Sequence, residues 1–172
     1  MTTLSPMRRV LVVGCSGTGK STFAVALGRK LGLPVVHLDG HFWRPGWVQC
    51  DVAGWPQKVA ELLQTPGWVM DGNYLGTLEA RLAACDTVIF LDRGRFACLW
   101  RVIKRWFAYR GRTRPDLPEG CPERIDWEFY LWVWRYSRDV RPAMLARLAQ
   151  AEDKRVLIFR SDGETAEFLE GL

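Results

Sequence analysis

The sequence contains no apolar run long enough to cross a membrane. Its apolar stretches, within 172 residues, are only as long as strands, whereas a spanning helix needs roughly 20 consecutive apolar residues. The N-terminal stretch MTTLSPMRR also lacks the apolar centre of a secretion signal. These absences favour a cytoplasmic protein with no membrane partner.

Histidine is scarce, and the spacing of the cysteines does not indicate a zinc site. The chain has two histidines and no CxxC pair. Its cysteines are scattered and odd in number, which argues against a disulfide framework and fits a reducing compartment. The five cysteines are Cys15, Cys50, Cys85, Cys98 and Cys121.

Internal repeats, low-complexity segments and linker-like stretches are also missing. A chain of this length can bury a sizeable core as one unit. We therefore expect residues 1–172 to form a single domain.

The sequence does contain an alternation of apolar runs and helical patterns. Between the runs, apolar residues recur at helical spacing. Because the runs are continuously apolar, helices are expected to cover both faces of a parallel sheet, which defines a three-layer α/β fold. The five predicted strands lie in RRVLVVG, PVVHLD, GWVMDG, DTVIFLD and KRVLIFR.

The stretch GCSGTGKST, at positions 14–22, lies between the first predicted strand and the first predicted helix. It fits the phosphate-loop pattern, in which backbone N–H groups surround a phosphate and the lysine reaches the β- and γ-phosphates. The serine after the lysine is expected to ligate Mg²⁺. A glycine-rich turn that merely caps a helix is the alternative. The predicted nucleotide-binding residues are Gly14, Cys15, Ser16, Gly17, Thr18, Gly19, Lys20, Ser21 and Thr22.

Aspartates end three of the predicted strands, at Asp39, Asp71 and Asp92. In an open parallel sheet, ligands bind beyond the carboxyl ends of the strands. Carboxylates placed there can hold Mg²⁺ or accept a proton from an attacking hydroxyl. Each can instead cap a following helix, and for Asp92 the two alternatives stand equal. A metal cluster of Asp39 with the flanking His37 and His41 is a further alternative, although Mg²⁺ prefers oxygen ligands.

A strongly basic stretch, 93–114, has eight Arg or Lys residues and no acid. Such a block attracts phosphate-bearing partners. It runs into a glycine- and proline-rich segment, 110–124, which predicts a lid that closes over a nucleotide and brings in arginines, with Arg112 and Arg114 as the candidates. A solvated basic face is the alternative. Nucleic acid is another candidate partner, which the nine tryptophans also suit.

Several stretches together resemble the bacterial DNA topology modulation proteins, a family similar to adenylate kinase and shikimate kinase. The resemblance implies a P-loop fold like that of the nucleoside monophosphate kinases, with five parallel strands in the order 2-3-1-4-5 and an arginine-bearing lid. The family's name implies a link to DNA, but the chain has no helix-turn-helix or zinc-finger pattern. The stretches, which span nearly the whole chain, are GCSGTGKST, LPVVHLDGHFWRPGW, WVMDGNY, DTVIFLD, CLWRV, GRTRPDLPEGCPER and EFYLWVWRY.

The resemblance also implies roles for two of the aspartates. Asp71 and Gly72 resemble the start of the adenylate kinase motif DGFPR, whose aspartate acts on Mg²⁺ through water, so Ser21 and Asp71 are predicted to organise the metal. Asp39 resembles the acid that engages the acceptor hydroxyl in shikimate-type kinases. The arginine of the DGFPR motif is missing here, and the nearest one is Arg81.

The leading hypothesis is a small-molecule or nucleotide kinase that uses ATP and Mg²⁺ to phosphorylate an unidentified hydroxyl or phosphate acceptor. The rival is an ATP-binding, nucleic-acid-associated regulator that uses the stretch 93–114. The sequence leaves both a monomer and a dimer open. The predicted catalytic residues are Lys20, Asp39, Arg112 and Arg114. An aromatic or anionic acceptor is expected to contact Asp39, Trp43, Arg44, Trp47, Asn73, Tyr74 and Arg81.

Overall fold

A computed structural model describes residues 7–172. The prediction about the N-terminal stretch MTTLSPMRR therefore lies largely outside the described residues. In chain order the elements are β1 (Arg9–Gly14), α1 (Lys20–Leu31), β2 (Val35–His37), α2 (Leu38–Phe42), β3 (Trp43–Arg44), β4 (Val48–Gln49), α3 (Trp55–Leu62), β5 (Trp68–Asp71), a 3₁₀ helix (Leu75–Thr77), α4 (Leu78–Ala84), β6 (Thr87–Leu91), α5 (Arg95–Tyr109), α6 (Trp127–Asp139), α7 (Arg141–Gln150), β7 (Arg155–Phe159) and α8 (Asp162–Glu170).

The main sheet has five strands in the order β2-β5-β1-β6-β7. All four neighbouring pairs are parallel. Counted among the parallel strands alone, this is the expected order 2-3-1-4-5, so the predicted α/β P-loop fold is confirmed. The order leaves β1 at the centre, and its carboxyl end opens toward the ends of β2 and β5.

The core lies on both faces of this sheet, because successive residues of β1 point to opposite sides. Leu11 and Val13 pack on one face with residues of α3, α4 and α7. Val10 and Val12 pack on the other face with Phe23 and other residues of α1. Burying one such aliphatic or aromatic side chain contributes about 1.5–3 kcal/mol. The two clusters hold the phosphate loop between rigid layers.

A third apolar cluster packs α5 and α6 against the phosphate loop. Its buried members are Cys15, Cys98, Val102, Val133 and Tyr136. Helix α6 begins where the Asp126 carboxylate accepts a hydrogen bond of 3.1 Å from the Phe129 amide. The loop between α5 and α6 contains the predicted lid, and this cluster anchors both of its ends.

The Trp- and Pro-rich segment after β2 forms the helix α2 and the antiparallel hairpin of β3 and β4. The lid packs on this hairpin. The Gly46 N–H donates to the Gly120 carbonyl at 2.7 Å, and the Trp47 indole N–H donates to the Pro122 carbonyl at 2.8 Å. The lid thus closes over the carboxyl edge of the sheet.

In the part of the chain that the structure describes, no helix has both the length and the apolarity to span a bilayer.

Candidate active site

The phosphate loop lies between β1 and α1, where the sequence predicts it. Gly14 and Gly17 have φ angles of 145° and 83°, a region that residues with a Cβ rarely enter. A Cβ at Gly14 would collide with the Leu91 carbonyl oxygen, and a Cβ at Gly17 would collide with the Cys98 carbonyl oxygen. These glycines therefore let β6 and α5 approach the loop closely, in addition to shaping it.

Lys20, the first residue of α1, reaches back across the loop. Its ammonium donates to the Cys15 carbonyl at 2.9 Å, and the Thr18 hydroxyl donates to the same oxygen at 2.8 Å. Burial lowers the pKa of Lys20, while the carboxylates of Asp71 and Asp39 act in the opposite direction. Two further ammonium protons remain to bind an anion.

A cavity of about 280 Å³ opens at this loop. It brings together Asp39, Asp71 and Arg114, as the sequence predicts. Asp71 ends β5, but Asp39 does not end a strand as expected, because β2 stops at His37 and Asp39 lies in the first turn of α2. Arg101 and Arg105 also line it, although the sequence did not single them out. The lining residues are Ser16, Gly17, Gly19, Lys20, Ser21, Thr22, His37, Asp39, Asp71, Gly72, Arg101, Arg105, Tyr109, Arg114 and Asp116.

Asp71 is buried at the end of β5 and pairs with His37 at the end of β2. The β2–β5 register places these two residues opposite each other, and His37 Nδ1 lies 2.8 Å from Asp71 Oδ1. This hydrogen bond raises the pKa of His37, against the effect of its partial burial. The second carboxylate oxygen of Asp71 remains for a metal ion or its water shell.

The third aspartate, Asp92, follows β6 and neither caps a helix nor faces the cavity at the phosphate loop. Both of its oxygens accept hydrogen bonds of 2.7 Å from Arg141 at the start of α7. This bidentate pair ties β6 to α7. A metal cluster of His37, Asp39 and His41 is not formed either, since no group of three or more potential ligands occurs among residues 7–172.

A second cavity adjoins the first and has a volume of about 340 Å³. We call it the acceptor cleft because residues that the sequence predicts to contact an acceptor line it. Ser16, Lys20, Asp39, Gly72, Arg105 and Arg114 line both cavities. The predicted acceptor residues Trp43, Trp47, Asn73 and Tyr74 lie here. The cleft further contains Glu123, Arg124, Asp126, Phe129 and Trp132, which the sequence did not identify as site residues.

Hydrogen bonds link the acceptor cleft to the phosphate loop. The Tyr74 hydroxyl donates to Asp39 Oδ1 at 2.6 Å. The Asn73 amide oxygen accepts from the Gly14 N–H at 3.1 Å. Burial and the neighbouring Asp39 carboxylate raise the pKa of Tyr74 well above its usual value. The phenol therefore stays protonated and fixes the orientation of Asp39.

The arginines of the lid and of α5 share one buried carboxylate, Glu123. Its Oε1 lies 2.7 Å from Arg105 Nε and 3.1 Å from Arg114 Nε. Arg114 also lies 3.4 Å from Asp116. Burial and the neighbouring Arg114 lower the pKa of Arg105. Two guanidinium groups are thus held together at the wall common to both cavities.

Six predicted site residues line neither cavity. Three belong to the phosphate loop itself, where Gly14 ends β1 and the Cys15 and Thr18 side chains are buried. The other three are Arg112, Arg44 and Arg81.

Arg112 is exposed on the lid and lines neither cavity, because Arg105 and Arg114 are the arginines that turn inward. Arg44 is exposed on the hairpin, where its carbonyl contacts the Cys121 thiol.

Arg81 is fully buried and serves the fold. It donates to the carbonyls of Gly72, Asn73, Tyr74 and Thr77 at 2.6–3.3 Å. Arg81, predicted to contact a substrate, therefore lies inside the protein with its guanidinium bound to backbone carbonyls. Its guanidinium shapes the loop that carries Asn73 and Tyr74.

Half of the cations in the basic stretch 93–114 pair with acids from outside it. Arg93 and Arg101 pair with Asp162 of α8, and Arg105 and Arg114 pair with Glu123. These four arginines are half of the eight cations in the stretch. Three of them, Arg101, Arg105 and Arg114, also line the cavity at the phosphate loop. No observation supports the nucleic-acid alternative.

Comparison with known proteins supports the same fold. No family model and no curated protein matches the chain significantly, so the resemblance to topology modulation proteins remains a prediction. Among solved structures, shikimate kinase from Acinetobacter baumannii in complex with shikimate has a TM-score of 0.58 at 18% identity, over 96% of this chain and 90% of that one.

Two further structures are similar over 96% of this chain. Shikimate kinase from Bacteroides thetaiotaomicron, of which 96% is covered, has a TM-score of 0.55 at 15% identity. A sugar kinase from Janibacter sp. HTCC2649, of which 92% is covered, has a TM-score of 0.52 at 18% identity. At these identities the likeness establishes the fold alone: the chain shares the three-layer α/β fold of these structures, with its phosphate loop after β1.

Proposed function

We propose that the protein is a phosphotransferase that moves the γ-phosphoryl group of ATP to a hydroxyl group of a small molecule. The observation that carries this proposal is the wall shared by the two cavities. Lys20, Asp39, Arg105 and Arg114 line both the cavity at the phosphate loop and the acceptor cleft. One cavity suits a triphosphate, the other a small molecule, and the groups that phosphoryl transfer needs stand between them.

The residues at the first cavity fit ATP and Mg²⁺. The loop glycines adopt the angles of an anion-binding nest, and the Lys20 ammonium retains two donors. Ser21 and Asp71 provide the oxygen ligands that Mg²⁺ prefers, with His37 orienting Asp71. When bound, Mg²⁺ supplies charge neutralisation at the β- and γ-phosphates.

Asp39 is the proposed general base. It lies at the junction of the two cavities, where an acceptor hydroxyl can approach a phosphoryl group. The Tyr74 phenol occupies one of its oxygens, which leaves the other to accept the hydroxyl proton. Arg105 and Arg114 are placed to stabilise charge on the transferring group, a role in which Arg105 replaces the predicted Arg112.

ADP release in the presence of Mg·ATP and a panel of hydroxyl compounds tests this proposal. Asp39→Asn should lower acceptor-dependent ADP release by about 100-fold, the usual range for loss of a general base. Asp153→Asn is the matched control, because Asp153 is exposed and pairs with its neighbour Lys154. This variant should leave the rate unchanged. Full activity in Asp39→Asn, or a panel in which no acceptor raises ADP release, would contradict the proposal.

A further inference from the structure

Five aromatic side chains dominate the walls of the acceptor cleft. Trp43 and Trp47 come from the hairpin and Tyr74 from the segment after β5, whereas Phe129 and Trp132 come from α6. The Phe129 and Trp132 rings are nearly parallel, with an interplanar angle of 19°. A volume of about 340 Å³ lies within the ~300–1,000 Å³ of small-molecule pockets. Aromatic walls of this kind suit a flat ring.

Backbone strain is concentrated at the same cleft. Across residues 7–172, Trp47 and Tyr74 are the two non-glycine residues with positive φ, at 61° and 20°. Bulky residues rarely adopt such angles, and strained conformations cluster at ligand clamps. Each of the two rings is also fixed by a hydrogen bond, Trp47 to the Pro122 carbonyl and Tyr74 to Asp39. These two walls are therefore set before a ligand arrives.

The arginines of the cleft already have anionic partners. Arg105 and Arg114 share Glu123, and Arg124 lies 3.5 Å from Asp126 with its guanidinium over the Trp47 ring, 5.6 Å from the centroid. A doubly charged acceptor that used Arg105 or Arg114 would have to displace the buried Glu123 carboxylate, which costs several kcal/mol. The exposed Arg124–Asp126 pair adds little to this barrier. An uncharged acceptor needs no such displacement.

We infer that the acceptor is an uncharged planar aromatic or heteroaromatic compound that carries an alcohol group, such as a nucleoside or an aryl alcohol. This inference rests on the proposed function and narrows its substrate class. The ring lies among the indole and phenyl groups, and the alcohol points to Asp39. The alcohol proton passes to Asp39, the alcohol oxygen bonds to the γ-phosphorus, and the bond from that phosphorus to the bridging oxygen breaks. ADP leaves with the bonding electron pair.

Isothermal titration of the full chain, saturated with Mg²⁺ and the non-hydrolysable analogue AMP-PNP, tests the inference. The probes are uridine and indole-3-ethanol, compared with D-ribose and shikimate, which have hydroxyl groups but no aromatic ring. Since stacking one base is worth a factor of about 10 in affinity, at least one ring compound should bind about 10-fold more tightly than either control. Uridine monophosphate should bind no more tightly than uridine.

Trp132→Ala should weaken binding of the ring compound by about 10-fold. Trp127→Ala is the matched control on the same helix, since Trp127 is 79% exposed and does not line the cleft. This variant should bind the ring compound as tightly as the wild type does. The inference is overturned if ribose or shikimate binds as tightly as both ring compounds, if no ring compound binds, if the monophosphate binds much more tightly than uridine, or if Trp132→Ala has no effect.

Measuring ADP release with the same compounds separates this inference from the proposed function. A ring compound that binds without ADP release would leave the cleft assignment standing and refute phosphoryl transfer. ADP release with ribose or shikimate alone would support transfer and overturn the aromatic acceptor.

Discussion

Glu123→Gln should destabilise the free protein and strengthen its binding of nucleotide. The Glu123 side chain is 6% exposed, and its Oε1 lies 2.7 Å from Arg105 and 3.1 Å from Arg114. Removing one partner of a buried ion pair costs about 3–5 kcal/mol. Because glutamine keeps an acceptor oxygen in place, we expect the lower end, about 3 kcal/mol. At 2–4 °C per kcal/mol for a chain of this size, Tm should fall by roughly 6–12 °C.

The effect on binding has the opposite sign because both arginines line the phosphate cavity. Under the proposed function, a triphosphate bound to the wild type would compete with the Glu123 carboxylate for their guanidinium groups. In Glu123→Gln that competition is removed. If the released arginines contribute about 1.4 kcal/mol more to binding the phosphates, the Kd for Mg·AMP-PNP becomes tenfold tighter.

Thermal unfolding with and without Mg·AMP-PNP, together with titration calorimetry, measures both effects. Glu119→Gln, at an exposed position of the same lid, is the matched control and should change neither quantity. Weaker nucleotide binding in Glu123→Gln, or a Tm equal to that of the wild type, would refute the idea that Glu123 holds these arginines in place of a phosphate.

Two further predictions concern groups that support the site. The hydrogen bond to Asp71 raises the pKa of His37 above its usual 6.5. The pair therefore stabilises the fold fully below pH 6.5, and this stabilisation is lost as the pH rises through the higher pKa of the folded state. The Tm deficit of His37→Gln should therefore be largest near pH 6 and shrink toward pH 9, and a deficit that stays constant over this range would count against the pairing. Arg81→Met leaves four carbonyls without their buried donor and should lower stability by about 3–5 kcal/mol, or Tm by roughly 10 °C. The exposed Arg44→Met serves as its control in the same melting experiment, and a similar Tm for the two variants would contradict the role assigned to Arg81.

The parts of the fold that the sequence predicts are those encoded by local pattern. The continuous apolar runs at β1, β5 and β6 require burial on both faces, and this requirement predicted the parallel sheet. The glycine spacing of GCSGTGKST predicted the turn between β1 and α1, because few other residues permit its backbone angles. The hairpin of β3 and β4 was missed because strands of two residues leave no periodic signal.

The site itself was predicted unevenly, for a related reason. Asp39 and Asp71 were identified because strand ends in a parallel sheet share one edge. The choice of Arg112 among the lid arginines had no such rule behind it, and the structure turns Arg114 inward while Arg112 stays exposed. No signal in the sequence singles out Glu123, because the lid also contains Asp116 and Glu119, and its partner Arg105 lies in another element.

The sequence by itself determined the class of the fold, the position of the phosphate loop and the edge of the sheet at which ligands meet. These depend on residues near one another in the chain, whose backbone preferences and burial act locally. Tertiary structure alone decided that Arg81 shapes a loop, that Asp92 joins two elements, and that Glu123 gathers Arg105 and Arg114. A buried charge pairs with whichever partner the packed elements bring within about 3 Å. The number of residues between two side chains in the sequence does not predict this pairing.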